Sequence, residues 1–171
     1  MSLRIIRDDI TGMKTEAIVN AANRQLLAGG GVCGAIFQRA GHEKLSRACR
    51  ELGGCETGEA VMTPGFNLPA SYVIHTPGPV WQGGGQGEAA LLKACYENAL
   101  SLAKEKGLKS LAFPLISSGI YGYPPEQALD VAVGAIDAFL KDQEMDVWLV
   151  LFDQSIFQLA LEIYPALCGQ K

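Results

Sequence analysis

The chain has 171 residues, 49% hydrophobic and 19% charged, with a formal net charge of −4 at pH 7. That length fits a single domain, 1–171, able to bury a core, and the acidic balance argues against holding nucleic acid on a broad basic face. Five scattered cysteines (Cys33, Cys49, Cys55, Cys95 and Cys168) without a C-x-x-C pair fit neither a disulfide framework nor a zinc site, and His42 and His75 lack metal-ligand spacing. Free thiols, no metal and no cofactor are expected.

Residues 1–11 carry Arg4, Arg7, Asp8 and Asp9 with no apolar segment, unlike a signal peptide, and no run reaches membrane-spanning length. A cytoplasmic protein with no membrane partner is expected. Ser2 to Arg7 reads as a first strand, and the polar stretch to Lys14 leads to a second at Ala17 to Val19.

The next stretch organises the chain. Asn20 and Asn23 deliver two carboxamides, and Gly29-Gly30-Gly31-Val32-Cys33-Gly34-Ala35-Ile36 opens a helix from about Val32 to Ala40. Consecutive glycines let main-chain N–H groups converge, and a helix start adds partial positive charge, which together suit an anion. A plain glycine-rich turn is the alternative. No Lys-Ser or Lys-Thr follows, so the Walker pattern is absent.

His42 to Leu52 continues helically and stops at Gly53-Gly54. Strands are expected at Glu59 to Thr63 and Ala70 to His75, with His75 reading as a hydrogen-bonded structural residue rather than a catalytic base. Trp81 to Gly87 reads as a mobile connection, with a third ligand loop as the alternative. Glu88 to Lys106 has helical spacing at Leu92, Cys95, Ala99 and Leu102. Lys109 to Ile116 is an apolar strand ending in Ser117-Ser118-Gly119-Ile120-Tyr121, a second strand-to-helix loop. Pro124 and Pro125 suit the first turn of a helix that turns Leu129, Ala132 or Val133, Ile136 and Phe139 to the core. Val147 to Phe152 is the last strand.

Strands alternating with helices imply an α/β sheet covered on both faces, where ligands bind beyond the carboxyl ends of strands. Two anion loops at that edge suggest a diphosphate.

The order Asp8-Asp9-Ile10-Thr11, Asn20-Ala21-Ala22-Asn23, Gly29-Gly30-Gly31-Val32, Tyr72-Val73-Ile74-His75-Thr76-Pro77-Gly78-Pro79 and Ser118-Gly119-Ile120-Tyr121-Gly122 resembles macro domains, from about Arg4 to Asp153. The resemblance implies a three-layer αβα fold with a mixed sheet of about six strands and the binding of ADP-ribose or a derivative, O-acetyl-ADP-ribose or ADP-ribosylated protein. It assigns adenine to Asp9 and Ile10, with Phe152 stacking. The phosphates fall to Gly30, Gly31, Val32, Cys33, Gly34, Ala35 and Ile36 and to Ser117, Ser118, Gly119, Ile120 and Tyr121. Asn20 joins the binding set, Asn23 meets the distal ribose and Tyr121 lies over it. Asp9 also reads as a cap, Phe152 as an apolar strand end and Tyr121 as a loop plug.

Many macro domains cleave the group on the distal ribose, which would make Asn23, Tyr121 and Cys33 the catalytic candidates. The bacterial deacetylase-like branch carries an Asp where this chain has Cys33 and a His where it has Phe37; alphavirus macro domains share Gly-Val-Cys. Cys33 reads as a small wall residue or as a catalytic thiol. Three functions compete: a metal-independent hydrolase of O-acetyl-ADP-ribose or ADP-ribosyl esters, a reader of ADP-ribose without turnover, and an RNA-associated or ribonuclease-regulating protein, which the acidic charge disfavours.

Overall fold

Period-two alternation along the strands sets the layers of the fold. In the computed structural model, which describes residues 2–169, neighbouring strand residues fall into opposite cores. Ile5, Val19, Ile74, Leu111 and Leu149 belong to one, and Ile6, Ile18, Val73, Ala112 and Val150 to the other. Successive side chains of a strand point to opposite faces, so a sheet built this way needs helices on both sides.

The strands are β1 (Ser2–Arg7), β2 (Ala17–Ala22), β3 (Val61–Pro64), β4 (Tyr72–Pro77), β5 (Ser110–Phe113) and β6 (Asp146–Leu151). The helices are α1 (Gly31–Ala40), α2 (His42–Leu52), α3 (Glu88–Glu105), α4 (Pro125–Leu140) and α5 (Gln154–Ile163). The sheet order is β1-β6-β5-β2-β4-β3. All neighbours are parallel except β3, which runs antiparallel to β4. Helices α1 and α2 cover one face with Ile36, Phe37, Leu45 and Cys49. Helices α3, α4 and α5 cover the other with Leu92, Tyr96, Leu100, Leu129, Ile136 and Ala160. This is the three-layer α/β fold with a mixed sheet of six strands.

Beyond β1, Ile5 N–H donates to Leu167 O at 2.8 Å and Gly169 N–H donates to Ile5 O at 3.0 Å. The C-terminal segment thereby covers an edge that would otherwise present unpaired groups.

Beyond shifts of one to three residues at the ends of β2, β3, β4 and β6, four details differ from the sequence expectations. Gly41, at φ 109°, breaks the helical run into α1 and α2, because that dihedral is outside the helical range. β5 ends at Phe113 rather than Ile116, since Pro114 has no N–H for a ladder. Helix α5 follows β6 unforeseen: Asp153 caps it by accepting from Ser155 N–H at 2.8 Å and Ile156 N–H at 3.3 Å.

The fourth is the connection expected to be mobile, Trp81 to Gly87. Glu88, 1% exposed, accepts from the N–H groups of Gln82 (2.8 Å), Gly84 (3.0 Å) and Gln86 (2.6 Å). The Trp81 ring lies 4.7 Å from that of Tyr123, and Trp81 N–H donates to Tyr121 O at 2.9 Å. A single carboxylate supplies the turn chemistry that the glycines alone do not. Those hydrogen bonds, the one from Gln82 foremost, hold its pKa down at about 2.

Candidate functional site

The parallel strands β1, β6, β5, β2 and β4 end at one edge of the sheet, and the segment after each contributes to one continuous cleft. An outer cavity of about 490 Å³ lies beyond β1, β6 and β5 and is lined by Asp8, Asp9, Ile10, Gly31, Val32, Ala35, Pro114, Leu115, Ser118, Gly119, Val150, Leu151, Phe152, Asp153 and Ile156. A central cavity of about 230 Å³ lies beyond β5, β2 and β4. Its walls are Ala21 to Asn23, Gly29 to Cys33, Gly78, Leu115 to Ser117 and Gly119 to Tyr121. The two share Gly31, Val32, Leu115 and Gly119.

One wall of the cleft is the start of α1. Its cap residue, Gly30, offers no side-chain hydrogen bond and the first turn carries no acidic residue, so the main-chain N–H groups there are left for another partner. Gly31 sits at φ 58°, a left-handed conformation that suits glycine. Gly34 is glycine for a different reason, since a β-carbon there would lie 2.4 Å from Gly29 O.

The facing wall is the loop after β5. Tyr96 of α3 pins it from beneath: its hydroxyl donates to Pro114 O at 3.0 Å and accepts from Ile116 N–H at 3.1 Å. Above it, Ser117 takes φ 68°, Tyr123 N–H donates to Ser117 O at 2.9 Å and Gly122 N–H donates to Gly119 O at 3.0 Å. Ser117 Oγ is buried with no hydrogen-bond partner among the described residues. Ile120, 85% exposed, reaches over the cleft until its Cδ1 is 3.5 Å from where a β-carbon on Gly30 would sit.

Asp9 holds its own loop, Oδ1 accepting from Thr11 N–H at 2.9 Å and from Thr11 Oγ1 at 2.7 Å. The residue is nonetheless exposed at the outer cavity, as is Phe152, which is 77% exposed. At the other end Asn23 is committed locally: Oδ1 accepts from Leu27 N–H at 2.9 Å and Nδ2 donates to Leu27 O at 2.8 Å. A carboxamide has two donor and two acceptor positions, so one of each remains for a ligand or water.

Of the expected binding residues, Asn20, Gly34 and Ile36 line neither cavity. Ile36 is fully buried, because the helical period turns it into the core. Asn20, 1% exposed, lies on the same strand face as Ile18, behind Cys33. Its Nδ2 is 3.1 Å from His75 Nδ1 and 3.6 Å from Cys33 Sγ. His75 Nε2 is 3.0 Å from Thr63 Oγ1. Burial lowers the His75 pKa to about 4, so the ring is neutral near pH 7, accepting at Nδ1 and donating from Nε2. His75 is a structural residue, as its position at the end of an apolar run suggested.

Cys33 is 6% exposed and donates to Leu27 O at 3.6 Å. Burial pushes its pKa up, outweighing the lowering from the Asn20 and Gly29 hydrogen bonds. The thiol is therefore protonated near neutrality, in spite of the helix start beside it. Phe37, 1% exposed, is a core residue. Among the described residues no group of His, Cys, Asp and Glu could hold a metal ion, and no helix is long and apolar enough to cross a membrane.

Sequence reasoning passed over Gly78, Leu115 and Glu88. The available signal was Gly78-Pro79 directly after a parallel strand, the position where such sheets make their sites.

The Macro domain family model matches residues 19–132, a stretch that holds both glycine-rich main-chain walls, and the chain belongs to the macro domain family. A macro domain-containing protein of Chlorobaculum tepidum is 53% identical over 165 residues, covering 93% of this chain and 95% of that protein. The O-acetyl-ADP-ribose deacetylase of Salmonella typhimurium is 46% identical over 163 residues, covering 92% and 90%. Among solved structures, a variant of the Oceanobacillus iheyensis macrodomain with ADPR superposes with a TM-score of 0.88 at 43% identity, covering 96% of this chain and 94% of that one.

Proposed function

We propose that the cleft binds ADP-ribose and that the protein hydrolyses esters carried on its distal ribose. The adenine would enter the outer cavity, its amino group donating to the free side of the Asp9 carboxylate, Ile10 N–H at the ring and Phe152 stacked upon it. The diphosphate would rest on N–H groups from Gly30 to Cys33 and from Ser117 to Tyr121, and the distal ribose would lie between Asn23 and Tyr121. The observation that carries this reading is the pair of main-chain walls facing each other between an exposed aromatic ring and a half-satisfied carboxamide. In an acidic protein the N–H groups of two facing walls can supply the positive potential that an anionic ligand needs. The names of the Salmonella and Oceanobacillus proteins support the same ligand.

For the reaction, water adds to the acyl carbonyl, the carbonyl carbon to ribose oxygen bond breaks, and a carboxylic acid and a ribose hydroxyl result. Asn23 has one donor and one acceptor position with which to orient that water and the ribose, and alignment alone contributes substantially to such a rate. Cys33, held protonated, forms a wall rather than supplying a nucleophile. The same observation favours a second reading, a module that binds ADP-ribose without turnover.

Calorimetric titration with ADP-ribose, followed by time-resolved product analysis on O-acetyl-ADP-ribose and on a glutamate-linked ADP-ribosyl protein, separates the two. Binding with release of free acid is the expected result. Binding with no product leaves the reader, and absence of binding overturns the placement.

A further inference from the structure

The central cavity has a neighbour on the side away from the adenine end. A third cavity of about 280 Å³ is bounded by Pro77 to Val80, by Arg24 and Thr57, and by Gln82, Gln86, Glu88 and Leu91. It shares Gly78 and Tyr121 with the central cavity and no residue with the outer one. The three therefore run in line, in the order of the strand ends beneath them. A ligand that fills the outer and central cavities has its far end at Gly78 and Tyr121, facing the third.

We infer that this third cavity is the subsite for the amino-acid residue that carries ADP-ribose, taking its side chain together with flanking peptide, and that Thr57 and Gln86 select for such substrates. The inference rests on the proposed direction of ADP-ribose in the cleft. Size supports it. An acetyl group has three heavy atoms, and at ~30 Å³ for each water-sized group it fills about a third of the space. Chemistry supports it as well. The carboxamides of Gln82 and Gln86 are exposed and have no protein hydrogen bond among the described residues, so they can pair with peptide N–H and C=O groups. Arg24, bridged to Glu56 at 3.2 Å and 63% exposed, sets a polar rim.

Glu88 gives this wall its shape without entering the chemistry. Its carboxylate is occupied by the three N–H groups of Gln82, Gly84 and Gln86. It is a positioning residue, and it turns a glycine-rich stretch into a fixed side of the subsite.

The test compares wild type, Thr57→Trp, which fills the cavity, and Gln86→Ala, which leaves the fold's buried contacts alone. Each is titrated with ADP-ribose and with a peptide bearing ADP-ribose through a nonhydrolysable amide to glutamate, then assayed on O-acetyl-ADP-ribose and on the corresponding ester-linked peptide. In wild type the peptide conjugate should bind at least fivefold more tightly than ADP-ribose. Thr57→Trp should abolish that advantage and Gln86→Ala should reduce it at least twofold, with the ADP-ribose Kd unchanged in both. Should the wild type turn over neither ester, the hydrolase reading fails while the binding comparison still decides the subsite. A conjugate that binds no better than ADP-ribose, or a loss of equal size for both ligands in the variants, would overturn the inference.

Discussion

A β-carbon placed on Gly78 would lie 2.2 Å from Ser117 Oγ and 2.6 Å from Ile116 Cγ2. The turn after β4 and the loop after β5 thus touch at a point with no room for a side chain. Ser117 can rotate, but Ile116 is β-branched and buried, with few conformers to offer. Gly78→Ala should therefore push the loop off its position, lowering stability by about 1–3 kcal/mol and weakening ADP-ribose binding at least tenfold. Chemical denaturation and calorimetry read the two effects, and retention of native affinity would show that the loop has slack.

Asn23→Ala removes both hydrogen bonds to the Leu27 backbone. At about 1 kcal/mol net for each, stability should drop by about 1–2 kcal/mol. Turnover should fall further than affinity if, as proposed, the group faces the distal ribose. Steady-state kinetics beside calorimetry measures the split, and parallel losses would remove Asn23 from the reaction.

Acid sensitivity should arrive in two windows. His75 has its pKa lowered from 6.5 to about 4 by burial. Between those values the unfolded chain binds a proton that the folded chain refuses, so its contribution is complete above pH 6.5 and lost as pH falls to 4. Glu88, lowered from 4.5 to about 2, contributes fully above pH 4.5 and loses that contribution as pH falls towards 2. Denaturation midpoints across this range should slope in both windows. His75→Gln should flatten the upper slope and Glu88→Gln the lower. A variant that leaves its slope intact would assign the acid response to other groups.

Cys33→Ala should preserve turnover within about threefold, since a protonated, buried thiol offers little thiolate. In the native protein a neutral-pH thiol reagent should label Cys168, the partly exposed cysteine, well before the four buried ones. Rapid labelling of Cys33, together with loss of turnover in the alanine variant, would make the thiol catalytic.

The layers were legible because Ile5-Ile6, Ile18-Val19 and Val73-Ile74 alternate between two cores and because glycines, Gly53 and Gly107, mark the ends of α2 and α3. The cleft was legible where the local chain makes it, at Gly30 and Gly31, at Ser117 to Tyr121 and at Phe152 after β6. What escaped depends on contacts distant in sequence or on the facing of one residue. Asn20 needs only the strand period to be placed behind Cys33 with Ile18, whereas the resemblance makes it only a member of the binding set. Glu88 looks like any acidic residue in a first helical turn until the loop before it folds back onto it. Gly78 has an unexceptional backbone in its turn, and only the approach of Ser117, 39 positions later in the chain, explains why it lacks a side chain.

Helix α1 begins without the Ser, Asp or Asn that would ordinarily close its first turn. The fold leaves one helix unfinished, and an anion in the cleft would complete it. Ligand and secondary structure then become parts of one cooperative unit. The free protein carries the cost of the missing partner, and the affinity includes the relief of that cost. Tight binding in such a protein would require no added positive charge, and side chains around the cleft could change widely through evolution while the main chain kept hold of the same phosphates.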